Sequence, residues 1–546
     1  MTDTAAPAAG FKPLRRRFLA LLALGIASRS WSSDTSVPDT GTTTTATPFS
    51  FDGLIAAAQD LARHDFVPDL QPDQAVLDRI DWNAHGQIHF KADKALFADG
   101  PGQYPVEFFH PGRFFRNRVR MYRLDAALDA AHPTTQAHEI PYSADLFDMP
   151  ADSPAHAMNA QHAGFAGFRV QESRTGGPGQ PDWRTNDWAA FLGASYFRAI
   201  GDQYQYGLSA RGVAVNTIEN GVTEEFPAFT RFYFEPGAAD SHTIVIYALL
   251  DGPSLAGAYR FTMTREQDVR MDVEARLFLR RDIARFGIAP ATSMYWFSGK
   301  DKPRQIDWRP QVHDSDGLAM WTGRGERLWR PLNDPAGIRL SVFTDHNPRG
   351  FGLMQRQRHY DRYLDAVHYE RRPGLWIEPL DDWGDGSVQL IELHTAEEIY
   401  DNIVAMWVPA TAATAGSSHT LRYRLYWAAN EPDPGPLARC VATRIGRGGE
   451  PGSRPADSVL FVVEFEGALL ASLPQNVQPQ ADISASRGQV AAIAIERDPD
   501  GNPAHWRARF ELRHAPAGDT PVELRLALRN ADQILSETWL YAHPVT

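Results

Sequence analysis

Val269-Arg270-Met271-Asp272-Val273-Glu274-Ala275-Arg276-Leu277-Phe278-Leu279 alternates along almost its whole length. Val269, Met271, Val273, Ala275, Leu277 and Leu279 are apolar, and Arg270, Asp272, Glu274 and Arg276 stand between them. Side chains on a strand point to opposite faces with a period of two, so this segment predicts a strand with one face in a core and the other toward water. Similar runs recur at 243–250 and 421–427, with 42 Gly and 39 Pro punctuating the chain and no sustained strand–helix–strand alternation. The pattern predicts an all-β protein built on antiparallel sheets, and a chain of 546 residues has the length for a large β-sandwich.

Working outward, Asn430-Glu431-Pro432-Asp433-Pro434-Gly435-Pro436 reads as a joint between two units, 49–430 and 436–546. The second unit holds strands at 459–465, at Trp506, Ala508, Phe510 and Leu512, and at Val522, Leu524, Leu526 and Leu528. Its length and strand density are those of a small immunoglobulin-like sandwich, expected to be separate, with Trp506 and Phe510 in its own core. Toward the N-terminus, Ser50 caps a helical pattern of Leu54, Ile55, Ala58, Leu61 and Ala62. Residues 34–48, with the tract Thr42-Thr43-Thr44-Thr45, carry too little apolar surface to fold and read as a linker. In residues 1–33, Arg15-Arg16-Arg17-Phe18-Leu19 followed by a short apolar run predicts a twin-arginine export signal and a periplasmic destination. No later segment reaches 18 consecutive apolar residues, so stable membrane insertion is not expected.

The net charge of minus 13 argues against nucleic acid as the main partner. Fourteen Trp, 17 Tyr and 29 Phe suit stacking on flat faces such as those of sugars. The single Cys440 excludes an intrachain disulfide and reads as a small buried apolar residue. Neither Gly323-Arg324-Gly325 nor Gly446-Arg447-Gly448-Gly449 is a phosphate loop, and no cofactor or metal site is expected. The sequence leaves a monomer and a homodimer both open.

Several blocks go beyond pattern. Phe191-Leu192-Gly193-Ala194-Ser195-Tyr196-Phe197-Arg198, Tyr206-Gly207-Leu208-Ser209-Ala210-Arg211-Gly212, His313-Asp314-Ser315-Asp316-Gly317-Leu318, Asp401-Asn402-Ile403-Val404 and Ser536-Glu537-Thr538-Trp539 are five of ten, in matching order. With Gly164-Phe165-Ala166-Gly167-Phe168-Arg169, Glu225-Phe226-Pro227, Gly257-Ala258-Tyr259, Trp329-Arg330-Pro331-Leu332-Asn333 and Asn347-Pro348-Arg349-Gly350-Phe351-Gly352-Leu353 they resemble the periplasmic osmoregulated glucan biosynthesis proteins OpgG and OpgD, also called MdoG and MdoD. The twin-arginine leader and Leu421-Arg422-Tyr423-Arg424-Leu425-Tyr426-Trp427 look more like the OpgD branch. The resemblance implies a large galactose-mutarotase-like β-sandwich joined to a small immunoglobulin-like one, acting on the β-1,2-linked glucan backbone of osmoregulated periplasmic glucans. It also implies an anomer-inverting β-1,2-glucanase, with a cyclising transglycosylase or a non-catalytic glucan-binding scaffold as alternatives. After Arg444 the OpgD-like pattern carries a longer loop than the Gly/Pro-rich stretch 446–457 found here.

Cleavage with inversion needs one carboxylic acid to protonate the leaving oxygen and one carboxylate to activate water. By resemblance, Asp401 matches the acid and Asp314 the base. Glu398 and Asp316 lie close enough in sequence to support them by raising their pKa values. On residue type alone each of these acids suits a solvated turn, and with Asp401 lying 87 residues beyond Asp314 only the fold can bring the two together. Tyr360, Tyr369, Trp376 and Trp383 are candidates for an aromatic glucan-binding floor, in competition with the sandwich core. Arg356, in Arg356-Gln357-Arg358-His359, and the pair Arg371-Arg372 either grip polar groups of the substrate or form ion pairs with Asp361, Asp365 and Glu370.

Overall fold

In the computed structural model, residues 46–544 are described apart from 178, 220, 499–500, 516–517 and 519. The export signal at 1–33 and most of the linker at 34–48 lie outside the described residues. Thr47–Phe49 is already a strand paired with Thr135–Ile140, so Thr47 and Pro48 belong to the sheet and not to the linker.

Two sheets make the body of the protein. In the larger, of sixteen strands, Thr243–Asp251, Leu255–Arg265, Val269–Leu279 and Ser418–Ala428 are consecutive antiparallel neighbours. The alternation in Val269–Leu279 becomes a burial pattern, with the apolar set inside and Asp272 paired outside with Arg424 across the strands at 2.5 Å. A second sheet of ten strands includes Asp385–Glu392, Ile403–Pro409, Phe286–Ser293 and Asp187–Leu192. Val273, Ala275 and Leu277 of the first sheet share one core with Ile288, Trp407, Val388 and Phe191 of the second, as facing layers of a sandwich do. The helix Phe51–Ala62, capped by Ser50 through the N–H of Gly53, covers the outer face of the larger sheet. Its Leu54 and Ala58 meet Tyr247 and Leu249, which is why Thr243–Asp251 is apolar on both faces.

The C-terminal residues form a second, smaller two-layer stack. Arg439–Arg447, Ser458–Glu466, His505–Arg513 and Gln489–Arg497 make a four-stranded sheet. It faces Thr538–His543, Val522–Asn530 and Gln480–Ala485. Trp506 and Phe510 do point into the core between them, where the Phe461 and Phe510 rings stack at 5.1 Å. The expected separateness fails, however. Thr538–His543 runs parallel to Arg327–Pro331, with Leu328 opposite Thr538 and Trp329 opposite Trp539, so the larger sheet continues into the small unit. Trp329, Trp376, Met354 and Ala319 of the large unit lie in the same core as Trp539. Alternation tells which face of a strand is buried but not which strand lies beside it, and an unpaired edge finds its backbone partner wherever the fold presents one.

Candidate functional site

The site is assembled around Asn402. Its side chain accepts the N–H of Tyr295 at 2.8 Å and donates to the carbonyls of Tyr295 and Leu393 at 2.9 and 2.8 Å. Tyr295 in turn pairs with His313 in a short two-stranded ladder. Asn402 therefore ties Asp401, which precedes the strand Ile403–Pro409, to Asp314, which follows Val312–His313. The N–H of Asp314 donates to the Met294 carbonyl at 2.8 Å, and Ser315 bonds Ser293 at 2.8 Å, which fixes the turn.

Asp401 is half-buried, and its carboxyl is pushed up to about 6, first by burial and then by the negative charge of Asp314. Arg211, Arg198 and Arg372 oppose that rise. Asp314 is buried, and burial raises its carboxyl while the Arg372 guanidinium, bonded directly to it, works the other way. Arg372 lies over the Tyr369 ring at 4.0 Å. Arg211 is held by Thr292 at 3.1 Å and Glu224 at 2.9 Å and lies 4.7 Å above the Tyr196 ring. The result is one carboxyl that keeps a proton close to neutrality beside a second that is clamped by a cation. Two carboxyls whose surroundings differ in this way are suited to acid and base roles.

Comparison with known proteins now bears on this arrangement. A family model described as "Periplasmic glucan biosynthesis protein, MdoG" matches residues 49–543. Glucans biosynthesis protein D 2 of Ralstonia nicotianae is 56% identical over 502 residues, covering 91% of each chain. Glucans biosynthesis protein D of Stenotrophomonas maltophilia is 43% identical, covering 91% of this chain and 90% of that one. The protein of the same name from Xanthomonas oryzae pv. oryzae is 42% identical over 90% of each. The chain belongs to the MdoG family. Within that family these three relatives carry the D designation, in line with the resemblance read from the sequence. Among the described residues no helix is long and apolar enough to cross a membrane.

The other candidate residues of this MdoG-family chain fall into two groups. Glu398 is beside the carboxylate pair, accepting the Tyr369 hydroxyl at 3.1 Å and an Arg309 guanidinium bond, and its charge acts on Asp314. Tyr369 is buried under Arg372, so it supports the site from beneath. Tyr360 is 50% exposed on the turn Tyr360–Arg362. The remainder stand elsewhere. Asp316 accepts the backbone N–H groups of Arg356 and Gln357 at 3.1 Å each, a structural task. Trp376 is buried in the core shared with the C-terminal unit. Trp383 packs on Trp407 and Tyr423 at 6.1 and 6.2 Å, toward the end of Ile403–Pro409 away from Asp401. Arg356 is bonded to Glu431 and Glu537, with only 6% of its side chain exposed. Of Arg371-Arg372, the structure brings Arg372 to the carboxylates. Sequence reasoning did not assign roles to Asn402, Arg198, Arg211 or Tyr196, although all four sit in blocks that carried the resemblance.

Proposed function

We propose that this protein acts in the periplasm on the β-1,2-linked glucan backbone of osmoregulated periplasmic glucans, cleaving it with inversion of the anomeric centre. Asp401 is the general acid and Asp314 the general base. The observation that carries the reading is the Asp401 carboxyl, raised to about 6 by burial and by Asp314 in a chain whose relatives are named for glucan biosynthesis. In the reaction Asp401 gives its proton to the leaving glycosidic oxygen. Asp314, held in register by Arg372, draws a proton from the attacking water. Arg198 and Arg211 limit the rise of the Asp401 carboxyl, so that it stays acidic enough to give up its proton.

The decisive experiment is incubation of the purified protein with linear β-1,2-glucan, following reducing ends and the oligosaccharide profile. New reducing ends released in the α configuration, inverted from the β linkage, support hydrolysis. Cyclic products support the transglycosylase alternative. Binding without any cleavage overturns the enzymatic reading in favour of a scaffold that guides the glucan. The periplasmic part of the proposal rests on Arg15-Arg16 in the export signal. Replacing both by Lys is expected to abolish periplasmic appearance, because the guanidinium pair and not charge alone is read; unchanged export in cell fractionation would remove that signal from the account.

A further inference from the structure

The block Ser536-Glu537-Thr538-Trp539 lies far along the chain from both carboxylates, and the acid–base reading gives it nothing to do. Glu537 nevertheless has 5% of its side chain exposed and holds Arg356 in a two-point contact, accepting Nη1 at 2.5 Å and Nη2 at 3.1 Å. The same carboxylate accepts the N–H of Cys440 at 2.6 Å. Arg356 also donates to Glu431 at 2.9 Å and to the Cys440 carbonyl at 3.1 Å, and lies 3.6 Å above the Trp329 ring. Its neighbour Gln357 donates to the Val441 carbonyl at 3.0 Å. Residues 356–357 are thus anchored on the C-terminal unit.

The same segment grips both halves of the Asp314–Arg372 pair. The N–H groups of Arg356 and Gln357 hold the Asp316 carboxylate, two residues beyond Asp314. Gln355 Nε2 donates to the carbonyls of His313 at 3.2 Å and Tyr369 at 3.4 Å, the first directly before Asp314 and the second three residues before Arg372. Arg358 donates to the carbonyls of Glu370 at 3.2 Å, Ala429 at 3.1 Å and Arg372 itself. We infer that the C-terminal unit is a positioning element for the site, acting through Glu537 on Arg356 and through residues 355–358 on the meeting of Arg372 with Asp314. A bidentate Arg–carboxylate contact fixes orientation as well as distance, which suits it to this task.

This inference rests on the acid–base reading for its consequence in catalysis, but not for its structural content. Glu537→Gln keeps the shape and removes the charge that orients Arg356. Expected is a fall in kcat of at least about tenfold with KM within about twofold, the mark of misplaced catalytic groups. The charged groups facing Asp314 are Arg372, Arg198, Glu398 and Asp401. With Arg372 less well held, the acidic limb of the pH–rate profile moves to higher pH, a change that mere loss of stability does not produce. Glu326→Gln is the control: Glu326 bonds Arg525 and Thr538 of the same C-terminal unit but touches nothing in residues 355–358, so profile and rate stay as they are.

Hydrogen–deuterium exchange of peptides covering 312–316 and 369–372 supplies the readout that needs no activity. Faster exchange in Glu537→Gln and not in Glu326→Gln supports positioning even in a protein that cleaves nothing, and then only the acid–base reading falls. Gln357→Ala, which removes a single bond to Val441, is expected to show the same changes in smaller measure and serves if Glu537→Gln does not fold. Unchanged exchange at both segments in these variants, or equal changes in Glu326→Gln, overturns the inference.

Discussion

Replacing Asp401 by Asn removes a transferable proton and also an electrostatic burden. Its folded carboxyl is pushed up to about 6, above the usual aspartate value of 3.8, so the native state retains a proton that the unfolded chain releases between those values. Stability from this group is therefore lost as pH rises from about 4 through about 6, and above that the buried charge is a standing cost. Asp401→Asn is expected to raise the unfolding free energy at pH 7 to 8 by an amount on the order of 1–3 kcal/mol, seen as a higher melting temperature, with the difference vanishing near pH 4. Under the proposed acid–base reading, cleavage of β-1,2-glucan by the same variant is expected to fall by about 10² to 10⁴ or more, and the rate of the unmodified protein to decline as pH rises past about 6. Asp314→Asn behaves in the opposite way in stability. It leaves the Arg372 guanidinium buried beside a neutral amide, and breaking a buried pair from one side costs about 3–5 kcal/mol, measurable as a lower urea midpoint. If both Asn variants melt alike across this pH range, the two carboxyls do not differ as described.

Among elements, the decisive piece is the junction between the strand Ile403–Pro409, the ladder of Tyr295–Phe297 with Val312–His313, and the segment ending at Leu393. Asn402 satisfies backbone groups of two of these, and its loss strands the Tyr295 N–H and the carbonyls of Tyr295 and Leu393 in a buried place. Asn402→Ala is expected to cost about 2–4 kcal/mol by equilibrium unfolding, since each stranded polar group costs about 1–3 kcal/mol before relaxation. The variant should also lower glucan cleavage, because Asp401 and Asp314 then lose the clamp that sets their approach. Normal stability in Asn402→Ala would show that the junction is held by strand pairing alone. The helix Phe51–Ala62 was legible in the sequence to its cap, because Ser50 and the apolar spacing are local signals. Arg356 was legible by type as a cation for substrate groups or nearby acids; its burial against Glu431 and Glu537 depends on segments that pattern reading placed outside its own unit.

For the whole molecule, the shared core removes the independence that the Pro-rich joint suggests. Trp329, Trp376 and Met354 are covered by the C-terminal unit, and Arg327–Pro331 loses its parallel neighbour if that unit is removed. A chain ending at residue 435 is therefore expected to expose a contiguous apolar patch and an open sheet edge, and to aggregate. Size-exclusion chromatography and dye binding of the truncated protein check this, and a monodisperse truncated chain that cleaves glucan at the normal rate would refute it along with the coupling to Glu537.

What the sequence determined by itself was what depends on short range: Val269–Leu279 as a strand, the Ser50 cap, the all-β class and the apolar faces of the C-terminal strands. Periodicity reports the two faces of one element, and there it was sufficient. The resemblance added the family and singled out Asp401 and Asp314, but it could not say what surrounds them. Only the tertiary structure decided that Asp314 meets Arg372, that Asn402 joins two distant segments, and that Trp376 and Arg356 belong to a junction between units. The reason is that burial, ion pairing and the pKa of a carboxyl are set by neighbours brought from elsewhere in the chain, and alternation along one strand carries no information about which neighbours those will be.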